Sequence, residues 1–193
     1  MTEVTLNRVG ALPQIFPNPD DYLFVTGLAG PARDAAHLTN DGANMFTMAG
    51  CMGAATTMGL GVALSAPDRQ VVVIAGDGEL MMNMGSLATV ATEAPQNLTI
   101  VCIDNGGHGE TGGQPGHTSR RTNLAKIADG AGIENILTVS SEDGLKDAAA
   151  FVKSGLGPRF LWLRVLVGEP TLFKRNMNPL ECRMRFRMAY LGA

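Results

Sequence analysis

The chain has 193 residues, a net charge of −3, 45% hydrophobic residues and 17% charged residues. That composition describes one globular domain with a sizeable core and excludes an intrinsically disordered chain. No basic tract argues for nucleic-acid binding, and no apolar stretch approaches the roughly 20 residues that span a membrane.

Glycine stands out, at 24 residues. Without a Gly-x-y period, these glycines must serve turns, tight packing or close approach of backbone to a ligand. The cysteines, Cys51, Cys102 and Cys182, are odd in number and widely spaced, with no CxxC or zinc spacing. They read as reduced thiols of a cytoplasmic protein. The first ten residues carry neither a basic n-region nor an apolar h-region, so no signal peptide is expected.

Residues 1–20, with Pro13, Pro17 and Pro19, are expected to form an irregular lead-in. Residues 22–27 (YLFVTG) predict a first strand, and a helix begins over 31–37. Residues 47–66 (TMAGCMGAATTMGLGVALSA) are long, apolar and rich in small side chains, and their length favours a helix. Glycine weakens a helix by roughly 1 kcal/mol relative to Ala. Glycines kept here imply that something packs close to the helix backbone. Pro67-Asp68 ends the segment. Residues 70–75 (QVVVIA) are the clearest buried strand, and Gly76-Asp77-Gly78 follows directly. Residues 80–93 place Leu80, Met84, Leu87 and Val90 at helical spacing. Residues 97–104 (NLTIVCID) predict a second buried strand, which runs into the glycine-rich loop 105–115 (NGGHGETGGQP). A short helix at 123–130, a strand at 136–139, an amphipathic helix at 142–154 and a last strand at 159–167 follow. The tail, 178–193, alternates basic and apolar residues and is expected to be helical. Strands alternating with helices predict an α/β fold, three-layer α/β/α with a mainly parallel sheet, as a single domain over 1–193.

In such sheets, ligands bind outside the carboxyl ends of the strands. Two loops leave apolar strands there, Gly76-Asp77-Gly78 and the one opening at Asn105. Each offers a compact oxygen ligand beside glycine. Magnesium takes oxygen ligands in an octahedron, commonly one or two protein groups plus phosphates. Asp77 can supply a carboxylate oxygen, Asn105 an amide oxygen and Gly107 a backbone carbonyl. The helix starting near Glu79 points its N–H groups toward bound phosphate. Either motif alone reads equally as a turn, since Asp, Asn and Gly are turn formers. Together they are sharper: 26 residues separate Gly78 from Asn105, enough for one helix and one strand.

The pattern of Gly76-Asp77-Gly78 followed by Asn105 resembles the binding motif of thiamine-diphosphate-dependent enzymes. The small-residue segment around Phe46 to Gly53 and Gly59 to Leu64 resembles the segment that precedes that motif. Residues 98–114 (LTIVCIDNGGHGETGGQ) look most like sulfopyruvate decarboxylase β subunits and the C-terminal part of phosphonopyruvate decarboxylases. The resemblance runs from about Val25 to Thr118.

That resemblance implies thiamine diphosphate and Mg2+ as cofactors. Asp77, Asn105 and Gly107 would hold the metal. Gly76, Gly78 and Glu79 would line the diphosphate, mostly through backbone. Glu79 departs from the small residue common in relatives, and its carboxylate is expected to turn outward. Met52, followed by Gly53, would wedge under the cofactor; otherwise it is a core methionine. His108 and His117 are candidates for substrate or proton contact, His108 also for the cofactor, and both are otherwise solvated loop residues. Arg120 and Arg121 are candidates for an anionic substrate, with surface pairing as the alternative.

The implied reaction is decarboxylation of a small anionic 2-oxo acid, sulfopyruvate- or phosphonopyruvate-like, with the cofactor as electron sink. In the family the activating glutamate lies in a separate pyrimidine-binding domain, for which this length leaves no room. A pyrimidine-binding, α-type partner subunit and a hetero-oligomer are therefore expected. Carboligation of acetolactate-synthase type, the β subunit of a 2-oxo acid:ferredoxin oxidoreductase and a cofactor-binding module without turnover are the alternatives. The oxidoreductase is disfavoured by the lack of an iron–sulfur cysteine set.

Overall fold

The structure is a computed structural model that describes residues 3–192. In chain order the first half comprises α1 (Ala11–Ile15), β1 (Tyr22–Thr26), α2 (Ala29–Thr39), β2 (Met45–Thr47), α3 (Ala55–Ser65) and β3 (Gln70–Gly76). Next come α4 (Asp77–Met81), α5 (Gly85–Glu93), β4 (Leu98–Asp104) and a small hairpin of β5 (Gly107–His108) and β6 (Gln114–Pro115). The chain closes with α6 (Leu124–Gly130), β7 (Asn135–Val139), α7 (Leu145–Lys153), β8 (Arg159–Arg164) and α8 (Pro179–Leu191).

Six strands form one parallel sheet in the order β2-β1-β3-β4-β8-β7. The central strands β1, β3 and β4 are buried almost throughout, because helices cover both faces. Side chains alternate between two cores. Phe24, Val72, Ile74 and Val101 face α1, α2 and α7, whereas Leu23, Val25, Val71 and Val73 face the side of α3, α5 and α6. The expected three-layer architecture is present. The connections of β1 and β3 leave in opposite directions, β1 toward β2 and β3 toward β4. Their carboxyl ends therefore open a crevice, the place where such sheets bind ligands.

Several sequence expectations change. The lead-in is not irregular: it contains α1, and Leu6, Leu12, Ile15 and Phe16 are fully buried in the core. Its backbone is tied down at both sides, with Leu6 N–H donating to Ser140 O and Leu166 N–H donating to Leu6 O. Pro13 is tolerated because it sits in the first turn of α1, where no intrahelical partner is lost. The helix expected over 47–66 is cut to α3. Ala49, Gly50 and Gly53 adopt φ of 48°, 109° and 79°, and the stretch up to Ala54 is loop. The close packing inferred for its glycines holds at Gly59, where an added Cβ would overlap Val73 Cγ2, and fails at Gly61, which faces open space. The helix over 80–93 is two pieces, α4 and α5, broken at Met82 to Met84. Among the described residues no helix is long and apolar enough to cross a membrane.

Candidate active site

The crevice at the β1 and β3 ends is a cleft of about 560 Å3. Gly76, Asp77, Gly78, Glu79, Asn105, Gly107 and His108 all line it, as does Met52. Seven of these eight arise from two strand ends only a strand apart, since β3 and β4 pair in register from Val71↔Leu98 to Gly76↔Ile103.

Asp77 directly follows β3, opens α4 and is 3% exposed. It faces a second buried carboxylate, Asp104, which ends β4. Asp104 Oδ1 accepts from Gly106 N–H at 2.8 Å and from the Thr118 hydroxyl at 2.7 Å. Its Oδ2 accepts from Trp162 Nε1–H at 2.8 Å. Thr118 lies 3.3 Å from Asp77 Oδ2, but its single proton is committed to the nearer Asp104. Asp77 is left the weaker partner: burial first, and the Asp104 charge second, push its pKa to about 7. A buried carboxylate left beside a second, well-bonded one fits a hard cation, which would restore the charge of Asp77.

Asn105 Oδ1 accepts from Gly107 N–H at 3.1 Å, a short-range turn that holds the amide oxygen at the mouth of the loop. The loop returns through Gly116, whose N–H donates to Gly106 O at 2.6 Å. A Cβ at Gly116 would lie 3.0 Å from the Gly106 backbone and 3.2 Å from Asp77 Oδ2, so glycine lets the loop close on the site without displacing either. Among the described residues no three His, Cys, Asp or Glu gather as a metal cage. The oxygen donors of Asp77, Asn105 and Gly107 instead suit a cation shared with phosphate.

Glu79 does not turn outward. It is 4% exposed, and its Oε2 accepts from Leu28 N–H at 3.3 Å. Its Oε1 has no hydrogen-bond partner and occupies the space a Cβ on Gly27 would need. The carboxylate thus caps α2, whose own N-cap, Leu28, offers no side-chain oxygen. Burial raises its pKa to about 7, against the opposing pull of the Leu28, Gly76 and Gly53 backbone.

Met52 is 41% exposed on the loop before α3, which excludes the core-methionine alternative. Gly53 lies beneath the wall rather than on it, buried, with its carbonyl accepting from Asn83 Nδ2 at 3.0 Å. His108 packs over Gly78, where a Cβ would meet its Nδ1 at 2.9 Å. His117 touches His108 edge-on, ring centroids 6.3 Å apart, but is exposed and outside the cleft. Arg120 and Arg121 lie on the exposed turn after it and do not line the cleft.

Sequence reasoning missed Asp104, Thr118, Gly116, Arg8 and the wall made by Leu28 to Pro31 with Arg33. Asp104 had a signal, its place beside Asn105 at a strand end. Arg8 and Thr118 had none, because only the fold brings them in.

Residues 31–161 match a family model described as thiamine pyrophosphate enzyme, C-terminal TPP binding domain. The chain is 38% identical over 140 residues to sulfopyruvate decarboxylase subunit beta of Methanocaldococcus jannaschii, covering 72% of this chain and 74% of that one. It is 36% identical over 181 residues to phosphonopyruvate decarboxylase of Streptomyces viridochromogenes, covering 93% of this chain and 45% of that one. It therefore spans less than half the length of the latter relative. Among solved structures, benzoylformate decarboxylase from Polynucleobacter necessarius shares the fold, with a TM-score of 0.67 at 20% identity over 89% of this chain and 36% of that one. These matches, falling on the same strand ends that build the cleft, establish that the chain belongs to the thiamine pyrophosphate enzymes and carries their C-terminal cofactor-binding domain.

Proposed function

We propose that the chain is the diphosphate-binding subunit of a thiamine-diphosphate- and magnesium-dependent decarboxylase of a small anionic 2-oxo acid. One observation carries the reading: Asp77, pushed toward neutrality by burial and by Asp104, sits beside Asn105 and Gly107 at the open end of the sheet. Asp77, Asn105 and Gly107 would hold a divalent cation joined to a diphosphate, and that cation would relieve the repulsion. Thiamine diphosphate, when bound, supplies an electron sink for the carbanion left as carbon dioxide departs. The chain's own residues bind and orient. Gly76, Gly78 and Glu79 would line the diphosphate, Met52 stands at the cleft wall, and His108 packs over Gly78. The substrate class follows the relatives' names, sulfopyruvate and phosphonopyruvate decarboxylases.

Three glutamates line the cleft. Glu79 is fixed against Leu28 N–H, Glu110 faces Arg33, and Glu169 stands on the segment after β8. The carboxylate that activates the cofactor is assigned to a pyrimidine-binding partner. The relative from Methanocaldococcus jannaschii is itself named a β subunit.

Asp77→Ala is expected to abolish magnesium-dependent binding of thiamine diphosphate, read by titration calorimetry. Unchanged affinity would sink the site. A second reading, carboligation, has a short stretch in its favour, 41% identity over 56 residues to acetolactate synthase isozyme 1 large subunit of Escherichia coli. The products decide between them: aldehyde plus carbon dioxide for decarboxylation, a condensed hydroxyketone for carboligation.

A further inference from the structure

Two guanidinium groups meet at the first turns of α2, one of them on the cleft wall. Arg33, on the second turn of α2, lines the cleft. Arg175, on the segment before α8, reaches the same end of α2 and donates from Nη1 to Ala29 O at 3.4 Å. Its Nε is buried without a hydrogen-bond partner. The two charges feel each other: burial first, and the Arg33 charge second, lower the Arg175 pKa.

Two anions act on this pair, Asp41 on Arg175 and Glu110 on both. Glu110, on the turn Gly109–Thr111, places Oε1 3.9 Å from Arg33 Nη2, with both side chains close to half exposed. A pair so long and so wet contributes little to stability. The turn leads into Gly112 and Gly113, at φ of 116° and 74°, so backbone freedom for it to swing lies next door. The other cation on the cleft, Arg8, is already committed. Asp34 Oδ2 accepts from its Nε at 3.0 Å and from its Nη2 at 2.6 Å.

We infer that Arg33, supported by Arg175, receives a second anionic group on the 2-oxo acid substrate, and that Glu110 holds the place of that group until substrate arrives. The inference rests on reading the cleft as a 2-oxo acid site, and it moves the anion receptor from Arg120 and Arg121 to α2. A planar guanidinium offers two parallel N–H donors to the oxygens of a sulfonate, phosphonate or carboxylate. A second guanidinium behind it favours the more highly charged ligand. Glu110 must leave, because a substrate anion and a carboxylate repel each other over the same guanidinium.

The test titrates the full chain with sulfoacetate, phosphonoacetate and malonate, using acetate as the single-anion control. Arg33→Met is expected to weaken the three dianions by about tenfold or more while weakening acetate far less. Glu110→Gln is expected to act in the opposite direction and tighten them. Melting temperatures near wild type establish that both variants fold. Equal binding of dianions by wild type and Arg33→Met overturns the inference, and so does a loss shared equally with acetate. If wild type does not prefer dianions over acetate, it also fails. The cofactor titration of Asp77→Ala separates the two levels. Cofactor binding that ignores Asp77 refutes the decarboxylase site, whereas Asp77-dependent binding with an unmoved anion preference refutes only the role of Arg33.

Discussion

Asp77 and Glu79 are two carboxylates in one short helix, both buried and both raised to about 7. Neither has a cation within hydrogen-bonding reach among the described residues. Their sign for stability follows directly. A group whose folded pKa is raised keeps its proton in the folded state over the range where the unfolded chain loses it. In the metal-free chain the contribution of these two groups is therefore full below the ordinary carboxylate range and is lost as pH rises through about 7. Each group sets a slope of at most about 1.4 kcal/mol per pH unit. Thermal melting of the metal-free chain between pH 5 and 7 is expected to show the melting temperature falling with pH. Glu79→Gln should flatten that slope, and a melting temperature rising with pH would contradict the burial of these groups. Of the two residues, Asp77 was legible in the sequence because its glycine neighbours and its strand are local. The inward turn of Glu79 was not. It depends on Gly27, which follows the end of β1 and leaves room for the carboxylate.

At the scale of elements, α3 shows how far a pattern reaches. Its small residues announce close packing, yet Gly59 and Gly61 look alike in the sequence and differ in the fold. Gly59 faces β3, and a Cβ there would overlap Val73, whereas Gly61 faces open space. The same substitution should therefore act with opposite signs. Gly59→Ala is expected to destabilise by about 1–3 kcal/mol through overpacking. Gly61→Ala is expected to stabilise by roughly 0.5–1 kcal/mol through helix propensity. Urea unfolding of both variants checks this, and two shifts of one sign would refute the packing of α3 on β3. The loop before α3 was misread as helix because composition and length carry no record of φ. Three residues there with positive φ end any helix.

At the scale of the whole molecule, the lead-in and the proposed partner subunit matter most. Leu6, Leu12, Ile15 and Phe16 are fully buried against α2, α7 and the sheet. Each buried side chain of that size contributes roughly 1.5–3 kcal/mol, and a domain of ordinary stability has only about 5–15 kcal/mol in all. A chain starting at Asp21 is expected to lose its cooperative thermal transition, measured by circular dichroism. A sharp transition in that truncation would show the lead-in to be dispensable. Function is expected to require assembly: the purified chain alone should release no carbon dioxide from a 2-oxo acid, and co-expression with a pyrimidine-domain chain should restore release. Full turnover by the single chain would refute the partner.

Two things were determined by the sequence alone, the layered α/β architecture and the pair of strand-end loops that line the cleft. Both are short-range, written in β-branched runs, glycine punctuation and the interval between Asp77 and Asn105. The tertiary structure decided what fills the rest of the cleft. Arg33 and Glu110 reach the cleft wall, and Asp104 and Thr118 come to lie behind Asp77, only when the order β1-β3-β4 sets their elements around one crevice. The physical reason is that charge and burial are properties of surroundings. A carboxylate beside a glycine reads the same in a chain whether it will meet water, an amide or a second carboxylate.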